Sequence, residues 1–529
     1  MSIDPQNLPR DPDLLIEMIV DMANELELME GKLAAFRAMI FGAKSEKLTN
    51  ILPDQLHLNL GDLEMDVTLQ AANDDEGLGG AATLKPARRK ATRNIGFLPK
   101  HLQRIETVIE PESLSCGCCT GLLHRIGEEV TETLDSVPAI LRVIRTVRPK
   151  YACRACEDGV VQASAPDRVV EGGMASNALI VSIAVWKFAW FMPLSRQVKM
   201  LEGQGIYLDR STLCRWMKRL AWWLEPVYRR QIAVMHTYPK LFCDETRMPV
   251  RRNEKMGTTH TGQFWTHATD DGPWGGLAPS AVAYIYAATR QGIEIEKQLA
   301  DYHGLVQVDG YKGYNGLTVS GRKPGPIVLA YCLAHARRKL TDVYKKTPMV
   351  FIEEALKILS EVYAVEKEIR GSSAEHRQSV RQEKSAPLMS ALKAKLEIGL
   401  SQISSKSNLA EAINYSLSRW EGLTLFLSDG RLEADNNTVE RSIRGIALGR
   451  RSSLFAGDDG GAHTWAVLAT LMTTAKLQGL DPFTYLNDVV ERIVSGQVKS
   501  NDLDQLLAWN WKAARDAELL AKADLKEAA

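Results

Sequence analysis

At 529 residues the chain is too long for one hydrophobic core, so three or more folded units are expected. Its 45% apolar and 25% charged content is that of an ordinary globular protein. Lys plus Arg equal Asp plus Glu at 65 each, which by itself argues against a nucleic-acid partner, but the charges are unevenly placed. Residues 61–76 carry six acids and no base, whereas residues 85–104 carry seven bases and no acid, and local patches decide phosphate binding. The opening Met1-Ser-Ile-Asp-Pro-Gln has neither the basic nor the apolar region of a secretory signal. The most apolar stretch, Ala178 to Leu194, is interrupted by Lys187 and Pro193 and falls short of the roughly 18 residues of a membrane span. Eight cysteines, four of them in CxxC pairs, are not a disulfide scaffold; reduced thiols and a cytoplasmic location are expected.

In chain order, residues 1–60 hold a predicted helix whose Leu15, Ile19, Met22, Leu26, Met29, Leu33, Phe36 and Ile40 alternate steps of four and three. That is the seam of a coiled coil, hence of self-association; the plainer alternative is an amphipathic helix packed on its own chain. Residues 61–95 read as a charged flexible linker, and residues 96–165 as a small cysteine-containing module. Residues 166–236 are helical and rich in tryptophan. Short strand-like runs then appear at 240–250, 263–268, 281–288, 305–308 and 327–331, with a helical piece at 293–302 between the third and fourth. This is an α/β order, placing a mixed-sheet core at 237–335 and 421–460. A helical insertion is expected at 336–420 and a C-terminal helical region at 461–529.

Cys116-x-x-Cys119 and Cys153-x-x-Cys156 supply four thiolates, the ligand set of a closed tetrahedral zinc site with a structural role. Cys118 is an alternative to Cys119 as ligand. The 33-residue gap between the pairs needs a hairpin, for which Thr131–Leu134 and Ile140–Tyr151 are β-rich enough. The remaining Cys214, Cys243 and Cys332 read as core residues.

Residues 194–208 and 209–220 form a helix, a glycine-containing turn and a second helix that Asp209 or Ser211 can cap. Residues 186–231 carry nine bases against three acids, so this helix-turn-helix would read double-stranded DNA through Arg210, Arg215, Lys218 and Arg219.

Asp244 and Asp309 each end an apolar run, and carboxylates on neighbouring strands can converge on a hard cation. Glu440 lies in Asp435-Asn-Asn-Thr-Val-Glu-Arg-Ser-Ile-Arg, with Asp435 or Asn436 as the helix cap and Asn436, Asn437, Glu440 and Arg444 on one face. Two magnesium (or manganese) ions about 3.5–4 Å apart, held by such acids, can activate an attacking oxygen and stabilise a leaving one.

At these residues the chain resembles the insertion sequence 66 family of transposases. The matching words are Phe41-Gly-Ala-Lys-Ser-Glu-Lys-Leu, the two CxxC pairs, Leu134-Asp-Ser-Val-Pro-Ala, Asp244-Glu-Thr and Asp309-Gly-Tyr-Lys-Gly-Tyr. They continue with Cys332-Leu-Ala-His-Ala-Arg-Arg-Lys, the run from Asp435 to Arg451, Leu454-Phe-Ala-Gly and Gly479-Leu-Asp-Pro-Phe-Thr-Tyr-Leu. Thr120 stands where the family has glycine, and Cys118 is extra. The resemblance implies an RNase H-like core in which Asp244, Asp309 and Glu440 form a DDE triad that cuts the ends of a mobile element and joins them to target DNA. Around it, Arg441, Arg444, Arg450 and Arg451 would clamp the DNA backbone, with His335, Arg337 and Arg338 nearby. A homo-oligomeric active complex and accessory proteins of the same element are further expectations, and no membrane is involved. The competing reading is a non-catalytic regulator that binds DNA through zinc module and helix-turn-helix; another is a nuclease that cuts without joining.

Overall fold

The computed structural model describes residues 165–252 and 258–527, and before them two short strands and residues 141, 143 and 144. The chain divides into Met1–Ile144 and Arg145–Ala529, and the architecture below belongs to the second unit. The expected coiled-coil seam, the linker, Thr131–Leu134 and all four CxxC cysteines lie outside the described residues.

Strands β1 (Lys150–Ala152) and β2 (Val160–Gln162) pair antiparallel on either side of the second CxxC in the chain. Three helices follow: α1 (Asn177–Phe188), capped by the Ser176 hydroxyl at 3.2 Å from the Leu179 N–H, α2 (Leu194–Glu202) and the long α3 (Arg210–Met235). The expected helix, turn and helix are therefore present, although no side chain caps α3 at Asp209. Cys214 departs from expectation. It is exposed, because α3 turns its Leu213, Trp216 and Met217 side inward.

The sheet is built from β3 (Lys240–Arg251), β4 (Thr259–Thr269) and β5 (Ala281–Ala287), then α4 (Gly292–Gln298), β6 (Leu305–Val308) and, after a 3-10 turn at Lys312–Thr318, β7 (Val328–Tyr331). Its order is β5-β4-β3-β6-β7; β4 runs antiparallel to both β3 and β5, while β6 and β7 run parallel to β3. Alternation along β3 shows why both faces are covered. Leu241 and Cys243 join Trp265, Val306 and Ile295 on one side, while Phe242, Met248 and Val250 join Phe264, Tyr284 and the helices on the other. The expected α/β core is thus a mixed sheet flanked by helices.

After β7 come α5 (Leu333–Lys346), α6 (Val350–Ile369), α7 (Ala374–Val380), a π-type turn (Arg381–Ser385), α8 (Ala386–Ser401), α9 (Asn408–Leu417) and α10 (Trp420–Ser428). They share their own core of Leu340, Ile352, Leu359, Leu392, Ile413 and Phe426. Two buried arginines tie this block to the segment that returns to the sheet. Arg381 donates to both Glu366 oxygens at 2.7 and 2.6 Å and to the Leu432 carbonyl at 2.9 Å; Arg377 donates to Glu433 at 2.6 Å. The return then locks onto β6, where the Gln307 amide donates to the Glu433 carbonyl at 2.8 Å and accepts the Glu433 N–H at 3.1 Å.

The chain ends in α11 (Asn437–Ser453), α12 (Asp459–Leu477), α13 (Pro482–Val494), a 3-10 turn (Ser500–Leu506) and α14 (Ala508–Glu527). Helix α12 seals the sheet's β5 edge, where an unpaired row of backbone groups would otherwise invite foreign strands. Thr470 accepts the Tyr284 N–H at 2.9 Å, and Thr474 accepts the Val282 N–H at 3.1 Å while donating back to the Val282 carbonyl at 3.0 Å. Gln231 and Tyr228 of α3 complete the edge, donating to the carbonyls of Val282 and Tyr284 at 2.8 and 2.9 Å. Among the described residues no helix is long and apolar enough to cross a membrane. Thr474→Val preserves shape but orphans a buried N–H, so it is expected to cost about 1–3 kcal/mol in urea unfolding; an unchanged midpoint would show that the edge does not depend on it.

Candidate functional site

The ladder between β3 and β6 closes with Phe242 opposite Gln307. Two residues further along each strand stand Asp244 and Asp309, on the same face as that pair, because side chains alternate with period two. Parallel strands about 4.8 Å apart therefore bring the two carboxylates together. Their oxygens, with one from Glu245, all lie within 4.8 Å of one another. Asp309 is, as expected, just past its strand. Asp244 is instead inside its strand, since β4 keeps pairing with β3 as far as Arg251 after the shorter β6 has ended.

Local backbone geometry aims both side chains. The Asp244 carboxylate accepts the Glu245 N–H at 2.7 Å, and Asp309 accepts the Tyr311 N–H at 2.8 Å across a turn through Gly310. Gly310 has φ +95°, and a Cβ there would meet the Tyr415 hydroxyl at 2.8 Å and Arg419 Nε at 2.9 Å, so only glycine fits.

Glu245 was not singled out from the sequence, because alternation turns it away from Asp244. The end of the sheet nevertheless brings it into the group. Arg290 holds one of its oxygens at 2.9 and 2.5 Å, and the Tyr314 hydroxyl donates to the other at 3.0 Å. Burial, and then the neighbouring carboxylates of Asp309, Glu245 and Glu440, push the Asp244 carboxyl well above the ordinary range.

Glu440 enters from the first turn of α11, the helix that packs across β3. Asp244 feels its charge, but its carboxylate is grouped with Cys332 and His335 rather than with the two aspartates. His335 Nδ1 lies 3.5 Å from Glu440 Oε1, and an Arg338 nitrogen 3.9 Å from Oε2. Asn436 precedes the helix, as expected, yet its side chain does not cap it. It is fully buried, donates to the Cys243 carbonyl at 3.0 Å, and gives its own N–H to the Cys332 sulfur at 3.2 Å. One residue thus pins the start of α11 to the strand carrying Asp244 and to the head of α5. Asp435 accepts the Asn437 N–H at 3.1 Å, and burial pushes its carboxyl up to about 7. Cys243 and Cys332 are buried, as expected.

Of the expected DNA contacts, Arg441, Arg444 and Arg451 form an exposed stripe on α11, about 15 Å long at 1.5 Å per residue. Arg450 is half-buried and donates to Thr246 and to the Arg247 carbonyl, fastening α11 to β3. Arg337 lies beneath Tyr363, its guanidinium 5.9 Å from the ring centre. On α3, Arg210 and Arg215 are exposed, but Lys218 pairs with Asp458 at 3.0 Å and Arg219 donates to the Val169 carbonyl at 3.2 Å while lying over Trp222.

The raised Asp244 carboxyl carries a stability consequence. A group whose folded pKa exceeds its unfolded value imposes no penalty at pH below the unfolded value, and destabilises increasingly as pH rises through the folded one. In metal-free buffer at neutral pH, Asp244→Asn is therefore expected to raise the melting temperature; a fall would show that the carboxylates do not repel.

Residues 172–464 match the family model described as "Transposase IS66 family". Residues 113–157 match the zinc-finger binding domain of transposase IS66, residues 470–509 the IS66 C-terminal element, and residues 28–107 "Transposase C of IS166 homeodomain". Uncharacterized protein y4jD of Sinorhizobium fredii (strain NBRC 101917 / NGR234) is 50% identical over 97% of this chain and 99% of its own length. Uncharacterized proteins y4qI and y4hP of the same strain are each 37% identical, over 97% and 94% of this chain and 99% and 90% of their own lengths. No solved structure matches.

Proposed function

From a chain that belongs to the IS66 family of transposases and carries that family's zinc-binding module, we propose that DNA strand cleavage and transfer are carried out at Asp244, Asp309 and Glu440 as a DDE triad. The observation that carries this reading is the in-register meeting of Asp244 and Asp309 at the end of the β3–β6 ladder, with Glu440 on the first turn of α11 near enough for Asp244 to feel its charge. Three antiparallel strands followed by two parallel ones, with acids on the central pair, support reading the sheet as RNase H-like.

The donor set fits hard divalent cations. Three clustered carboxylates, one driven up by burial and then by its neighbours, create a negative field that a magnesium or manganese ion would neutralise. Held there, a pair of such ions would activate the attacking oxygen and stabilise the leaving one. The protein's share is positioning. Arg290 and Tyr314 hold Glu245 beside the pair, and Asn436 holds α11 against β3. The Arg441, Arg444 and Arg451 stripe would lay the DNA backbone along α11 toward Glu440, with Arg210 and Arg215 of the helix pair reaching a second stretch of duplex, while Lys218 and Arg219 are held by Asp458 and the Val169 carbonyl. We assign the structural zinc to Cys116, Cys119, Cys153 and Cys156, the last two between the paired strands β1 and β2. The N-terminal heptads support a multimeric active complex in the cytoplasm.

Asp244→Asn and Glu440→Gln are each expected to abolish magnesium-dependent nicking of labelled element ends, while gel-shift binding to those ends persists. Cleavage at the wild-type rate by either variant would refute the triad.

A further inference from the structure

The position of Glu440 raises a question that the DDE reading leaves open. Its carboxylate does not lie with the two aspartates; it lies with a sulfur and an imidazole. Cys332 Sγ, a His335 ring nitrogen and a Glu440 oxygen are all within 4.8 Å of one another, and His335 Nδ1 is the nitrogen that faces Glu440. Two of these atoms, His335 Nδ1 and Glu440 Oε1, are buried and have no hydrogen-bond partner. Unsatisfied buried polar atoms are costly, and these two face each other at 3.5 Å beside a buried thiol, where a shared cation would satisfy both.

The spacing suits a metal. Ligands about 2.0–2.1 Å from a tetrahedral ion stand about 3.4 Å apart, and His335 Nδ1 is 3.5 Å from Glu440 Oε1. Burial, then the Glu440 and Asp435 carboxylates, push the free Cys332 thiol well above its ordinary range, a cost that a bound cation would have to offset. Cys332 stands just before the first turn of α5 and receives the N–H of Asn436, which stands at the same position before α11, so the positive ends of two helices lie near Sγ. An N–H donated to a ligating sulfur is the usual outer support of a metal site. Sulfur and imidazole donors select a borderline transition metal over magnesium.

We propose that Cys332, His335 and Glu440 form a second metal site, separate from the Asp244–Asp309 pair, that takes a transition-metal ion such as zinc. On binding, the Cys332 thiol releases its proton to solvent as the sulfur–metal bond forms. Three protein ligands leave the fourth position to water. Occupancy retains Glu440 on the α5 side, so the site holds the third acid away from the aspartates. This regulatory consequence rests on the catalytic assignment of Glu440; the binding itself does not.

The test is titration of the full-length, metal-free chain with cobalt(II) in excess magnesium. Wild type is expected to bind one cobalt more than Cys332→Ser, and the difference spectrum should show charge transfer from a single thiolate. His335→Gln should weaken that extra site by at least about tenfold, and Asp244→Asn should leave it intact. Equal cobalt stoichiometry and spectra for wild type and both the Cys332 and His335 variants, each melting cooperatively, would overturn the proposal. If Glu440→Gln still cleaves DNA while the cobalt difference persists, the triad fails and the metal site stands.

Discussion

The structure depends on one enforced proximity: two carboxylates placed side by side by the parallel pairing of β3 with β6. The ladder ends at Phe242 and Gln307, and the pleat carries the next same-face residues, Asp244 and Asp309, to the same level. Unscreened like charges at that separation oppose folding, and the protein tolerates them because the backbone on either side is held elsewhere. Phe242 and Leu241 anchor β3 in the two core faces, and Gln307 fastens β6 to the returning chain at Glu433. A divalent cation held between the two carboxylates would relieve the repulsion.

The remaining architecture positions Glu440 and protects the sheet that holds Asp244 and Asp309. Between Asp309 and Glu440 the chain makes a helical block with its own core, and that block must return in register. Buried Arg377 and Arg381 clamp the return, and Asn436 fixes where α11 begins. Each of these polar groups is buried and hydrogen-bonded, an arrangement that favours one geometry over near alternatives because a slip would strand a charge in the interior. On the far side, α12 seals the β5 edge with two threonines, so this helix is part of the sheet's hydrogen bonding.

Arginine use follows the same division. Arg450 is spent on holding α11 to β3, and Arg219 on the Val169 carbonyl, whereas Arg441, Arg444 and Arg451 remain at the surface of α11. Identical side chains in one basic run therefore serve different ends according to the helical face they occupy, and a count of bases does not separate them.

The amino-acid sequence by itself determined what is local. Alternation and β-branched runs specified the five strands, and 3.6-residue periodicity the helices on either side; ordered words such as Asp244-Glu-Thr and Asp435-Asn-Asn-Thr-Val-Glu marked the acids and the family. What only the tertiary structure decided is whatever depends on contacts across long loops. That Asp244 sits within its strand follows from β4 outlasting β6; that Glu245 joins the group follows from Arg290 and Tyr314 arriving from elsewhere in the chain. The exposure of Cys214 follows from the angle at which α3 packs. The grouping of Glu440 with Cys332 and His335 depends on where α5 and α11 start relative to each other, a geometry set by Asn436 bridging β3 and α5. Residue spacing encodes periodicity along one element. It does not encode the register between elements separated by a hundred residues, which is settled by packing.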